Sequence, residues 1–143
     1  MSVIVLAACS SSAKEDLVEK ADAKCQTITE RFQLSGDLGL TDQSTNRIRE
    51  RQALVTDLRD SVKAMPAPES GQAELNMWLD QLGKYIEAMT ELMNLKADAR
   101  MGKDLVIMMQ FGIQKQASDA LMAPAQQFGF DSCAHTENWE QLP

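Results

Sequence analysis

Residues 71–100, GQAELNMWLDQLGKYIEAMTELMNLKADAR, carry the most regular apolar pattern of the chain. Apolar side chains recur there three or four positions apart, which is the period of an amphipathic α-helix. The recurring residues are Leu75, Trp78, Leu82, Met89 and Met93. No part of the chain shows the strict two-residue alternation of a half-buried β-strand. This stretch therefore predicts a long third helix and an all-α fold.

Two segments before this stretch have the same period. The first, 14–33, places Leu17, Ala21, Cys25, Ile28 and Phe32 on one face. The second begins near Thr41 or Asp42, either of which suits an N-cap, and it stops at Pro66, since proline cannot continue the hydrogen-bond ladder. The inner face of the second segment is marked by Ile48, Val55, Leu58, Val62 and Met65. Both segments are predicted to be helices that bury one face.

A fourth helix is expected from Lys103 to about Pro124, which would kink or end it. The residues predicted to face inward are Leu105, Met109, Gly112, Gln116, Ala120 and Leu121. Gly102 suits the end of the third helix. One long kinked helix through Gly102 is the alternative.

Four helices with short connections favour an up-down-up-down four-helix bundle, with residues 14–143 as a single domain. The tail after Gly129 lacks helical periodicity, and its Phe130, Cys133 and Trp139 are expected to pack back onto the bundle. The 143 residues suffice for one domain that buries roughly 70% of its unfolded surface.

The net charge is −7 at neutral pH. A chain this acidic repels nucleic acid and anionic lipid headgroups. Nucleic-acid binding is therefore not expected.

The N-terminus is apolar and runs directly into Cys9. The tetrapeptide Leu6-Ala7-Ala8-Cys9 resembles the lipobox of bacterial lipoproteins, in which the cysteine is acylated and becomes the new N-terminus. The resemblance implies that residues 1–13 are a residual signal peptide, lipobox and short serine tether. It also implies a chain anchored to a membrane through a lipid on Cys9, facing the periplasm or exterior. The alternative is an apolar N-terminus that matches by chance, since no Lys or Arg precedes Cys9.

The other two cysteines are Cys25 and Cys133. In an exported protein an even pair normally forms a disulfide, and this one would join the first helix to the tail. In a cytosolic protein they would be two free buried thiols.

Catalytic motifs are scarce. The only histidine, His135, lies in the tail, and neither a phosphate-binding glycine loop nor a nucleophile elbow is present. We therefore expect a non-catalytic protein without a cofactor.

Methionine is the unusual component of the composition, with nine residues. Met89 and Met93 are one turn apart, and thioethers are soft ligands that suit Cu(I), so a copper-binding or small-ligand bundle is an alternative function. Methionine at helical spacing is more often a flexible core filler. A cleft between the third and fourth helices is a further alternative, with Gly112, Ala117 and Ala120 facing Trp78, Tyr85 and Met89; close helix packing is the simpler interpretation.

Arg47 and Arg51 are one helical turn apart and would project together. They are predicted either to contact an acidic partner or to belong to a mixed, solvated surface. The function favoured by elimination is an interaction module or accessory subunit of a membrane complex, with a protein partner in the cell envelope.

Overall fold

The computed structural model describes residues 12–35, 44–97, 103–137 and 139. Four longer helices occur in these residues: α1 (Ala13–Ser35), α2 (Ser44–Lys63), α3 (Gln72–Ala97) and α4 (Lys103–Asp119). A short helix α5 (Met122–Phe128) and a 3₁₀ turn (Ser132–Ala134) follow. The described residues contain no strand, so the all-α prediction is confirmed. Thr41, Asp42 and Gly102 lie outside the described residues.

Helix α1 begins one residue earlier than predicted because Ser12 caps it. The Ser12 hydroxyl accepts a hydrogen bond from the Glu15 backbone N–H at 3.1 Å, and the Glu15 carboxylate accepts one from the Ser12 N–H at 3.2 Å. This reciprocal pair is a capping box, and the spacing Ser-x-x-Glu is its sequence signature. Ser12 and Ala13, which the lipobox resemblance assigned to an expected tether, therefore belong to the folded domain.

The core lies between α1, α2 and α3. Its largest fully buried residues include Trp78 and Tyr85 of α3, Phe32 of α1 and Leu58 of α2. The predicted inner faces of the first three helices are confirmed, since all but two of the residues named for them are buried; Met65 and Met93 are partly buried and pack against the core.

The C-terminal tail is a main part of this core. Cys133 is bonded to Cys25, with the two Cα atoms 5.1 Å apart, so the predicted disulfide is confirmed. Phe130 packs against Trp78 with ring centroids 4.6 Å apart, and Trp139 packs against Phe32 at 5.6 Å. The tail thus packs against both α1 and α3.

Asp22 of α1 fixes the start of the tail. Its carboxylate oxygens accept hydrogen bonds from the backbone N–H groups of Asp131 at 2.9 Å and Cys133 at 2.8 Å. Just before these residues, Gly129 ends α5 in the left-handed conformation, with φ of 108°, which glycine adopts without steric cost. The tail has little regular structure, but its backbone is held firmly.

Helix α4 packs along α3, which is its one extensive helix neighbour among the described residues. It ends at Asp119, and Pro124 lies in the first turn of α5, where proline is tolerated. On α1 and α2, Lys24 pairs with Asp57 and Phe32 with Arg51, so these two helices run antiparallel. The up-down-up-down order of all four helices stays a prediction.

Candidate docking surface on α4

The inward face predicted for α4 is wrong. Leu105 and Met109 are 69% and 63% exposed, and Gly112, Gln116 and Ala120 are exposed as well. Leu121, just after the helix, is the one member of the predicted set that is buried.

The reason is that α4 is apolar on both sides. Ile107 and Phe111 lie on the side opposite Leu105 and Met109, and they are the residues that pack against α3 and the core. Because apolar residues surround the helix, their period alone cannot orient it. In the observed orientation the large Phe111 ring is buried. The Gln110 amide also donates a hydrogen bond to the Ala88 carbonyl at 3.2 Å.

The outward face of α4 forms what we call the α4 ridge. Its exposed apolar residues are Leu105, Val106, Met108, Met109 and Ile113, with Gly112 among them. At 100° per residue they cover an arc of about 160° of the helix surface. They expose on the order of 500 Å² in total, within the range of the largest patch on a typical monomer, which is often functional.

The inward face of α4 is unexpectedly polar. Gln110, Gln114 and Ser118 are buried there, and neither amide atom of Gln114 has a hydrogen-bond partner among the described residues. A buried amide without a partner costs on the order of 1–3 kcal/mol. Helix α4 therefore buries polar groups beside Ile107 and Phe111 and leaves apolar groups exposed, unlike an ordinary surface helix, whose exposed face is polar.

The Arg47–Arg51 prediction is wrong for Arg51. Its guanidinium is buried, and it donates hydrogen bonds to the carbonyls of Phe32 at 3.1 Å and Trp139 at 3.3 Å. These bonds join α1, α2 and the tail, so Arg51 has a structural role. Arg47 is half-buried and lines an open groove between α1 and α2, and a contact with a partner there stays a prediction.

The residues proposed for copper lie in or against the core. Met89 is fully buried in the main apolar cluster, and Met93 packs against it. The cleft hypothesis is wrong for Gly112 and Ala120, which are exposed and do not face Trp78. The described residues contain no group of three His, Cys, Asp or Glu side chains placed to hold a metal ion.

The remaining predicted residues are His135 and Cys133 of the tail and Cys9 with its lipobox. His135 is exposed and lies 3.3 Å from Glu137, while Cys133 is held in the disulfide. Cys9 and its lipobox lie outside the described residues. Among the helices of the described residues, none combines the length and apolar character needed to cross a bilayer.

The residue pattern of α4 contains no signal that identifies the ridge, because glutamines lie on the inner face of the helix. Gln110 and Gln114 share the inner face with Phe111, so the amides and the ring compete for the core. Polar side chains such as these normally indicate an outer face. Only the packing of α4 on α3 shows that both glutamines are inside.

Comparison of the chain with protein-family models, with curated proteins and with solved structures yields no match.

Proposed function

We propose that this chain is a non-catalytic, lipid-tethered protein of the bacterial cell envelope that acts as an interaction module or accessory subunit of a membrane complex. In this proposal the bundle is a scaffold, and the α4 ridge is the surface that binds a protein partner.

The α4 ridge is the observation that carries the proposal. Much of its apolar surface stays in water in the monomer, with Leu105 69% and Met109 63% exposed, although burial of apolar surface is worth roughly 25 cal/mol per Å². A partner that covered the ridge would recover this free energy. Single exposed apolar residues such as Met77 need no explanation, but a contiguous ridge along two turns of one helix does.

The capping of α1 supports the tether. Because Ser12 is the N-cap, only two residues separate it from Cys9, and three residue steps reach roughly 11 Å at most. At the same end of the fold, the Lys14 backbone N–H donates to the Glu69 carboxylate at 3.1 Å, and the Lys14 ammonium lies 4.8 Å from the centre of the Phe128 ring. An acylated Cys9 would hold this end of the bundle close to the bilayer.

The chemistry of the described residues supports a non-catalytic role. Cys133 lies two residues from the sole histidine of the chain, but in the disulfide its sulfur has no free thiol to ionise. The disulfide itself favours an oxidising compartment, in agreement with export.

Two measurements test the proposal. Mass spectrometry of the native N-terminus should find a diacylglyceryl group on Cys9, and an intact Met1 would contradict the lipid tether. Mild detergent extraction of the full chain should recover a protein partner. Recovery of the chain alone, both after extraction and after cross-linking in intact cells, would contradict the interaction role.

A further inference from the structure

We infer that the α4 ridge inserts into an apolar groove on a second, different protein, with α4 as the helix of a helix-in-groove contact. The inference rests on the proposed function and adds the shape, chemistry and position of the partner site.

The shape of the ridge indicates a groove. Val106 and Met108 lie on opposite flanks of α4, with Met109 near the crest between them, and all three are exposed. A flat surface would touch the crest and leave the flanks in water. A groove covers the crest and both flanks, as in the recognition of amphipathic helices by partner proteins.

A second copy of the chain fits poorly. Contact between two convex ridges would bury only part of the roughly 500 Å² that each exposes, whereas a stable interface buries about 800 Å² on each partner. Each copy also carries a net charge of −7, so two copies repel one another. A groove on another protein removes both objections, because it encloses more of the helix and its rim can be neutral or basic.

The residues of the ridge define the chemistry of the groove. None of them is charged, and the nearest charged side chains towards the end of α4, Lys115 and Asp119, are paired with each other at 2.9 Å. A Cβ atom built on Gly112 would meet no atom within 4 Å, so the partner can approach the helix backbone there. Met108 and Met109 are flexible and adapt to an irregular apolar wall. The groove should therefore be lined by aliphatic or aromatic side chains.

A series of hydrogen bonds gives the position of the ridge along the bundle. Gln110 bonds to Ala88 on α3, and Gln52 of α2 bonds to Ile86 only two residues away. The next residue, Arg51, bonds to Phe32 of α1. Phe32 lies roughly 28 Å along α1 from Ala13, at 1.5 Å per residue. In the proposed function a lipid on Cys9 holds the Ala13 end of α1 beside the bilayer, so the ridge, near the opposite end, lies away from it. The groove should accordingly belong to an extramembrane part of the partner.

Site-specific photo-cross-linking of the full chain in intact cells tests this inference. A benzophenone amino acid replaces Met109 at the crest, Met108 or Val106 on the flanks, and Met77 as a control on an exposed part of α3. We expect the crest and both flanks to form adducts with one and the same other protein, through apolar residues, with a yield about tenfold above that at Met77, the ratio for a difference of about 1.4 kcal/mol.

Several results would overturn it. Adducts with a second copy would assign the ridge to self-association, and adducts with phospholipid would assign it to the bilayer. Adducts from the crest alone would indicate a flat partner surface. If the position at Met77 reaches a protein and the ridge positions do not, the groove and the assignment of the ridge as the binding surface are both wrong, while the role as an interaction module stands. If no position reaches a protein, the groove and the proposed function both fail.

Discussion

The C-terminal tail and helix α4 are held by the bundle in opposite ways. The tail has little regular structure, but a disulfide, two hydrogen bonds to Asp22 and the buried Trp139 fix it against α1 and α3. Helix α4 is regular over seventeen residues, yet it keeps glutamines inside and leucine and methionine outside. The difference shows that helical regularity and integration into the core are separate properties. The tail contributes to stability, and binding by α4 is the role that the proposed function assigns to it.

The disulfide should be the largest single contribution to the hold on the tail. Removing it with Cys25→Ala and Cys133→Ala together should lower the free energy of unfolding by about 4–5 kcal/mol, because the bond closes a loop over a sequence separation of 108 residues. Urea unfolding measures the loss. The control is Cys9→Ala, which should leave the unfolding midpoint unchanged. A loss below about 1 kcal/mol would mean that the tail is held mainly by its other contacts.

The next largest loss of stability should come from substitution of Asp22. Asp22→Asn removes the charge and turns one acceptor into a donor that faces a backbone N–H, so we expect a loss of about 1.5–3 kcal/mol. Asp57→Asn is the matched control, since Asp57 takes part in an exposed ion pair with Lys24, and such pairs are worth at most about 1 kcal/mol. Equal losses in the two variants would show that Asp22 does not anchor the tail.

Sequence patterns predicted the first of these two regions better than the second. The three-and-four spacing of α1, α2 and α3 identified their buried faces, and the pairing of Cys25 with Cys133 was predicted together with the packing of Phe130 and Trp139. The role of Asp22 was not predictable, because it depends on backbone N–H groups more than a hundred residues away. The prediction of which face of α4 points inward was wrong because Ile107 and Phe111 compete with Leu105 and Met109 for the core. The burial of Arg51 was not predicted because its partners are backbone carbonyls, which leave no pattern in a sequence.

The free-energy cost of the unpartnered Gln114 amide on the inner face of α4 can be removed by substitution. Gln114→Met keeps the length of the side chain and removes the unpartnered amide, so the variant should be more stable by about 1–2 kcal/mol. Gln116→Met, on the exposed side of the same helix, should change stability by less than about 0.5 kcal/mol. Thermal unfolding of the two variants compares them directly. A destabilised Gln114→Met would show that the buried amide makes a favourable interaction.

Substitution of Glu69, which lies beside the first turn of α1, should have the smallest effect on stability. Hydrogen bonds from its own backbone and from the Ser12 side chain, with smaller contributions from Lys14, hold the pKa of Glu69 below its ordinary value of 4.5. A lowered pKa in the folded state stabilises the fold above the unfolded pKa, and this contribution disappears as the pH falls through the folded value. Glu69→Gln should thus be slightly less stable than the parent at neutral pH, with the difference vanishing in acid.

The pH dependence of chemical unfolding measures this difference. Glu87→Gln, at an exposed position on α3, is the control and should change stability by less than about 0.5 kcal/mol. A difference between Glu69→Gln and the parent that grew in acid would have the wrong sign for this explanation.

The most direct test of the α4 ridge compares Met109→Glu with Met77→Glu in the full chain. Both methionines are exposed to a similar extent, 63% and 57%, so neither charge should change the free energy of unfolding by more than about 0.5 kcal/mol. The quantity measured is the amount of partner protein recovered with each variant after cross-linking in intact cells. We predict at least a tenfold loss for Met109→Glu and no loss for Met77→Glu, because only the former buries a charge in an apolar contact. Equal recovery with the two variants would contradict a binding role for the ridge.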